Sequence, residues 1–356
     1  MNRATILVGG AVAVVAVGVI VAAVVVGTGD DKAAVATGSP SATPTRGPCD
    51  AQAVAARTVP SVVTITLTAV HSGATNTGSG VVLDASGHIL TNNHVVAAQG
   101  TKPVRVRFNN GSTAIARIVG RDPLADLAVL AVGGHQHTVA IRVGSSAALR
   151  VGQPVLAVGS PLGLAGTVTA GIVSALHRSV DVPIGDGQTA RLVSAVQTDA
   201  AINPGNSGGA LVDCTGELVG IPSAGATAPA EDGGTSSGNI GIGFAIPSDL
   251  ALPIARKLLA GGSVTHSYTG LQTEAVASGS TAEPQVLVTD VDPGSPAARA
   301  GIRPDDMISR IGTAAARAPE QLDALTLSLA PGRRLTVEYV RGGSRHTVTL
   351  TVAREP

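Results

Sequence analysis

Aromatic side chains are nearly missing from this chain of 356 residues, which has two phenylalanines, two tyrosines and no tryptophan. A core without rings must be filled by Val, Ala, Leu and Ile, and the β-branched members of that set favour strands. Neither sign of charge is in excess, since 24 Lys and Arg balance 24 Asp and Glu. With no basic run either, nucleic acid is excluded as the expected partner. Cysteine is limited to Cys49 and Cys214. Two cysteines suit an oxidising compartment; a bridge between them would close a long loop, and two separate buried thiols would fit the same sequence.

One apolar run is long. Residues 4–27, ATILVGGAVAVVAVGVIVAAVVVG, carry no charge. As a helix this run is ~36 Å long, enough to cross a hydrocarbon core of ~30 Å with some tilt. No polar face interrupts it, as one would in a helix packed on a soluble core. Arg3 precedes it and Asp30, Asp31 and Lys32 follow. The positive-inside rule then sets residues 1–3 in the cytoplasm and the remainder outside. The expectation is an uncleaved single-pass transmembrane anchor rather than a signal peptide cut after Ala34-Val35-Ala36. Residues 28–48, rich in Gly, Ser, Thr and Pro without apolar period, read as a flexible linker.

From Val62 onward the pattern becomes short β-type runs split by glycine turns, among them VVTITLTAV, PVRVRF, LAVLAV and LVSAVQTD. Such short, regular strands predict a sandwich or barrel rather than alternating β and α units. A helix is expected over Ser248–Leu259, stopped by Gly261-Gly262, with Pro253 leaving its start open. After Gly262 a second, smaller α+β unit of about 90 residues begins, a size usual for a small module. It holds strands such as QVLVTDV and RLTVEYV and a helical stretch over 319–329.

The stretch INPGNSGGALVDC, residues 202–214, sets Ser207 behind Pro204-Gly205-Asn206 and ahead of Gly208-Gly209. Such a turn bares backbone N–H groups around the hydroxyl, though a plain surface loop has the same composition. His94 ends an apolar run in TNNHVV, and Asp126 lies in PLADLAVL. Alone, His94 reads as a structural or solvated histidine and Asp126 as a residue of the turn before a strand. Together they supply a nucleophile, a base and an orienting carboxylate. Ser207 is a poor nucleophile until His94 takes its proton, and Asp126 fixes the ring tautomer and stabilises the imidazolium. The N–H groups of Gly205 and Ser207 would bind the developing oxyanion. This chemistry needs no cofactor and no metal.

The order His94, Asp126, Ser207 is that of chymotrypsin-like enzymes. Six tracts carry a closer resemblance: TNNHVV at 91–96, DLAVL at 126–130, GSPLGL at 159–164, TVTAGIVSAL at 167–176, QTDAAINPGNSGGALV at 197–212 and IGFAIP at 242–247. In these the chain resembles the HtrA (Deg) group of trypsin-like serine proteases. The resemblance implies a mostly β fold, with a chymotrypsin-like double six-stranded β-barrel over 49–262 and the active site between the barrels. It implies a triad of His94, Asp126 and Ser207 and a bacterial cell-membrane setting with both domains outside. The primary specificity pocket would be walled by Ile202, Ile240 and Ile242, which favour small aliphatic residues. Asp199, eight positions before Ser207, would be structural rather than a determinant of basic specificity.

Residues 263–356 resemble a PDZ domain. Tyr268, Thr269, Gly270 and Leu271 would present N–H groups to a peptide's terminal carboxylate, with the peptide pairing along Leu271–Val276. Leu322 and Leu325 would line the groove or the core. The expected partners are unfolded or misfolded polypeptides, peptide C-termini and the membrane. An oligomer is compatible with this reading, but residues 50–107 contain no Phe, Tyr or Trp. The aromatic contacts on which HtrA trimers commonly rest therefore do not carry over. Two further readings stand beside the quality-control endopeptidase: a membrane-anchored scaffold or chaperone that binds peptides without hydrolysis, and a regulatory protease with one membrane-associated target.

Overall fold

The computed structural model describes residues 49–68, 75–100, 102–133, 138–164, 166–185, 188–225, 240–276 and 285–354. The expected anchor at 4–27 and linker at 28–48 lie outside these residues. Among the described residues no helix is long and apolar enough to cross a membrane.

Short strands, some alternating and some apolar throughout like the fully buried Leu127–Val132, build the first sheet. Its strands are β1 (Val62–Thr68), β2 (Thr75–Val82), β3 (His88–Thr91), β4 (Val104–Arg107), β5 (Thr113–Asp122) and β6 (Leu127–Val132). They close a barrel in the order β1-β2-β3-β6-β5-β4. β4 shows the period of two: Val104 and Val106 are buried while Arg105 and Arg107 are exposed. Ile65, Val82, Ile89, Val106 and Leu130 fill the interior.

A second sheet holds β7 (Arg142–Val143), β8 (Pro154–Gly159), β9 (Thr167–Gly185) and β10 (Gln188–Thr198). It continues with β11 (Ala210–Asp213), β12 (Glu217–Gly225) and β13 (Gly243–Pro247). The order is β11-β8-β9-β10-β13-β12-β7, and β11 also pairs with β12. Six strands thus meet end to end, and β7 adds outside them, parallel to β12.

Two short helices belong to these sheets: α1 (Ala51–Thr58), capped by Asp50 accepting from the Ala53 N–H at 3.0 Å, and α2 (Asn93–Val96). A longer helix, α3 (Ser248–Gly261), contains Pro253 in its interior and stops at Gly262 in the left-handed region. Interior proline costs a helix about 3 kcal/mol. Here that cost is outweighed by burial of Ala251, Leu252, Ile254, Ala255 and Leu258, on a helix that packs against β5, β6, β12 and β13. A disulfide joins Cys49, just ahead of α1, to Cys214 in the turn after β11.

The C-terminal unit comprises β14 (Ser267–Tyr268), β15 (Leu271–Val276), β16 (Gln285–Val291), α4 (Pro296–Arg299) and β17 (Met307–Ile311). It ends with β18 (Ala314–Ala315), α5 (Glu320–Ser328), β19 (Arg334–Arg341), β20 (Ser344–Thr351) and β21 (Ala353–Arg354). Its sheet runs β15-β16-β17-β19-β20, which leaves β15 at an edge, and β14 pairs with β21. Val286, Val288, Ile308, Leu322 and Tyr339 form its core. Helix α5 packs against β9 and β10 of the second sheet.

Candidate active site

Antiparallel pairing of β3 with β6 brings His94 and Asp126 together. Thr91 faces Ala128 in that ladder. Two residues further along, the Asn93 N–H donates to the Asp126 carbonyl at 3.1 Å. His94 then falls in the first turn of α2, and Asp126 occupies the turn immediately before β6. Asp126 is fully buried and sits in the left-handed region with φ of 52°. Such a conformation is strained for a residue with a Cβ and persists only where neighbours hold it. The Asn92 side-chain amide donates to its carbonyl at 2.9 Å. Its Oδ1 accepts the His94 backbone N–H at 3.0 Å, and its Oδ2 lies 2.8 Å from His94 Nδ1. The Ser223 hydroxyl donates to the same Oδ2 at 2.7 Å. A buried carboxylate with these donors has its charge satisfied without water.

Ser207 lies on the other sheet, between β10 and β11. The Asn206 N–H closes a turn onto the Asn203 carbonyl at 2.9 Å, with Gly205 at φ of 97°. Gly208 at φ of 82° follows, and a Cβ there would stand 2.3 Å from the Ser79 carbonyl oxygen. Both positions require glycine. Among the described residues no hydrogen bond occupies the N–H of Gly205 or of Ser207. The Ser207 hydroxyl donates to the Ser223 carbonyl at 3.0 Å, and no hydrogen bond joins it to His94. A hydroxyl rotor turns on the picosecond-to-nanosecond scale, and catalytic hydrogen bonds commonly tighten only with substrate present.

Ser79 of β2 ties the Ser207 turn to the first barrel. Its N–H donates to the Ser207 carbonyl at 2.8 Å and its hydroxyl to the Gly205 carbonyl at 2.6 Å. The hydroxyl also accepts the Ser160 N–H at 2.8 Å. Neither Ser79 nor Ser223 stands out in the sequence. The available signal was a serine between glycines in a strand (Gly78-Ser79-Gly80) and a serine ending an apolar run (Ile221-Pro222-Ser223).

Both units of the chain match known proteins. The profile of the trypsin-like peptidase domain matches residues 78–221, and that of the PDZ domain matches residues 248–352. The serine protease PepD of Mycobacterium tuberculosis is 42% identical over 319 residues, covering 86% of this chain and 67% of that protein. The chain belongs to the HtrA-type family of serine proteases. The periplasmic serine endoprotease DegP of Escherichia coli is 40% identical over 281 residues, 77% of this chain and 56% of that protein. The chain therefore spans little more than half the length of DegP. Among solved structures, the HtrA-type protease AlgW with a tripeptide is similar at a TM-score of 0.69 and 35% identity. That match covers 85% of this chain and 97% of the other.

Other residues singled out for the HtrA-type site fall in different settings. Ile202 is buried against Gly243, Ile242 packs at the edge of the core, and Ile240 is 48% exposed. Asp199 accepts the Ile172 N–H at 2.7 Å, which commits one carboxylate oxygen to holding β9. In the PDZ unit, Tyr268, Thr269, Gly270 and Leu271 line a cavity of about 210 Å³ together with Leu322. The Tyr268 hydroxyl donates to Asp292, and this hydrogen bond holds the phenol above its ordinary range. The Leu271 N–H faces the Thr269 hydroxyl at 3.4 Å, a long contact that leaves it open to a stronger acceptor. Leu322 is buried in the core beside this cavity, and Leu325 is partly buried.

Proposed function

We propose that this HtrA-type chain is an endopeptidase that cleaves unfolded or damaged proteins by acyl-enzyme hydrolysis. Ser207 Oγ attacks the scissile carbonyl as His94 Nε2 takes its proton, and the oxyanion accepts from the N–H groups of Gly205 and Ser207. The imidazolium returns that proton to the leaving amine, and water then attacks the ester by the same route. The observation that carries this reading is the engagement of His94 Nδ1 by the buried Asp126, 2.8 Å away. With Nδ1–H donated there, Nε2 keeps its lone pair for the serine. A fluorophosphonate should label Ser207 alone and lose that labelling in His94→Ala. Equal labelling of the two proteins would refute the triad.

The finer assignments rest on separate supports. Ile202 and Ile242 favour a pocket for Val, Ala, Ile or Leu, with selectivity of only ~10–200-fold per methylene. The open edge of β15 beside the cavity supports recognition of peptide C-termini by added-strand pairing. The uncharged run at 4–27 supports an anchor, and the disulfide and the periplasmic relative DegP support both domains lying outside the cytoplasm.

A further inference from the structure

His266 lies outside the matched peptidase segment, in the strand of chain that enters the PDZ unit just before β14. Its neighbour Ser267 is fixed there, with its hydroxyl donating to the Thr326 carbonyl of α5 at 3.0 Å. The His266 ring turns the other way. Its Nε2 lies 2.9 and 2.8 Å from the two carboxylate oxygens of Asp122, and the two residues are only 5% and 3% exposed. Asp122 ends β5, and its Oδ1 also accepts the Ala125 N–H at 3.2 Å. The Asp126 N–H donates to the Pro123 carbonyl at 3.3 Å, which closes the turn. Asp122 is therefore the cap of the tight turn that ends on the strained Asp126.

We propose that His266 is a positioning residue for the catalytic carboxylate, holding Asp122 so that the 122–126 turn presents Asp126 to His94. Three observations meet here. The Asp122 carboxylate is buried and has, among the described residues, only His266 and one backbone N–H as donors. Among the described residues the ring's other nitrogen, Nδ1, is buried without a partner, so every hydrogen bond the ring makes there goes to Asp122. Leu124, at the middle of the turn, lines a cavity together with Tyr268, Thr269 and Leu271, so the turn and the PDZ unit share a cavity wall. Without His266 the carboxylate must reach for water, and the turn shifts with it. A displacement of about 1 Å in catalytic geometry can cost roughly 100-fold in rate.

The inference rests on Asp126 being the triad carboxylate, so Asp126→Ala is measured beside it. In the full-length chain acting on fluorescein-labelled casein, His266→Ala should lower kcat by roughly 10–100-fold while KM stays within about twofold. Fluorophosphonate labelling of Ser207 should fall in parallel. His266→Gln, which keeps an N–H donor, should recover most of the rate. If His266→Ala does not fold, Asp122→Asn is read in its place. With its oxygen facing the Ala125 N–H, the amide donates to His266 Nε2 only if the ring proton moves to Nδ1, which is buried among the described residues without an acceptor, so kcat should again fall. Near-normal kcat in the folded His266→Ala or Asp122→Asn protein, with Asp126→Ala inactive, would overturn the positioning role. So would equal losses in His266→Ala and His266→Gln. An active Asp126→Ala would instead overturn the triad reading beneath it.

Discussion

Replacing Asp126 by Asn tests the active site with little change of shape. In the native protein Oδ1 accepts the His94 backbone N–H at 3.0 Å, while Oδ2 receives the Ser223 hydroxyl at 2.7 Å and His94 Nδ1 at 2.8 Å. All these groups are donors when Nδ1 carries its proton. An amide has only one accepting oxygen. If it faces the His94 N–H, its NH2 group faces Nδ1 and the Ser223 hydroxyl. Nδ1 must then be the acceptor and the proton moves to Nε2, which can no longer take the proton of Ser207. In the general Ser-His-Asp template this wrong tautomer lowers kcat by about 10⁴. At ~1.36 kcal/mol per decade that is about 5.4 kcal/mol of lost transition-state stabilisation. Casein turnover and the fluorophosphonate labelling rate should both fall by about this factor. The melting temperature should change little, because the turn and the buried volume are kept. A loss below about tenfold in a folded Asp126→Asn protein would refute the assignment of Asp126 as the group that sets the tautomer.

Reduction offers a second test. The Cys49–Cys214 disulfide spans a sequence separation of 165, for which chain entropy gives about 5 kcal/mol. At ~2 °C per kcal/mol for a chain of this size, dithiothreitol should lower the melting temperature by roughly 10 °C. A shift under about 2 °C would contradict that estimate. A third test concerns Tyr268, whose pKa is raised by the hydrogen bond to Asp292. Raising it stabilises the protonated phenol in the folded state, so this stabilisation is complete below about pH 10 and is lost as pH climbs through the raised value. Absorbance titration should show a phenolate step above about pH 10 that Tyr268→Phe removes; loss of a step at the ordinary value of about pH 10 instead would rule out that effect of the hydrogen bond.

Much of this protein is legible one segment at a time. The alternation of Val104, Arg105, Val106 and Arg107 already predicts a strand with one face inward, because side chains on a strand point to opposite sides in turn. Pro204-Gly205 and Gly208 announce the turn at Ser207 because their backbone angles are a local property. Gly261-Gly262 marks the end of α3 for the same reason, whereas Pro253 inside that helix is tolerated only because of what the helix packs against. The extra strand β7, two residues long, has no pattern of its own and exists through its pairing with β12.

The site itself divides along the same line. His94, Asp126 and Ser207 could be chosen from residue type, turn chemistry and family motif, but their meeting depends on which strands pair. Ser223 reaches Asp126 across 97 positions, Ser79 reaches Gly205 across 126, and His266 reaches Asp122 across 144. Each of these is an ordinary polar residue in its own segment. Hydrogen bonds act over about 3 Å, so a sequence records the donors and acceptors while the fold decides which of them come within that range. By itself the sequence determined the strand pattern, the glycine turn around Ser207 and the kinds of residue present. Only the tertiary structure decided that Asp126 would be strained, buried and held from three sides, because chain closure between distant strands is the step that no local pattern contains.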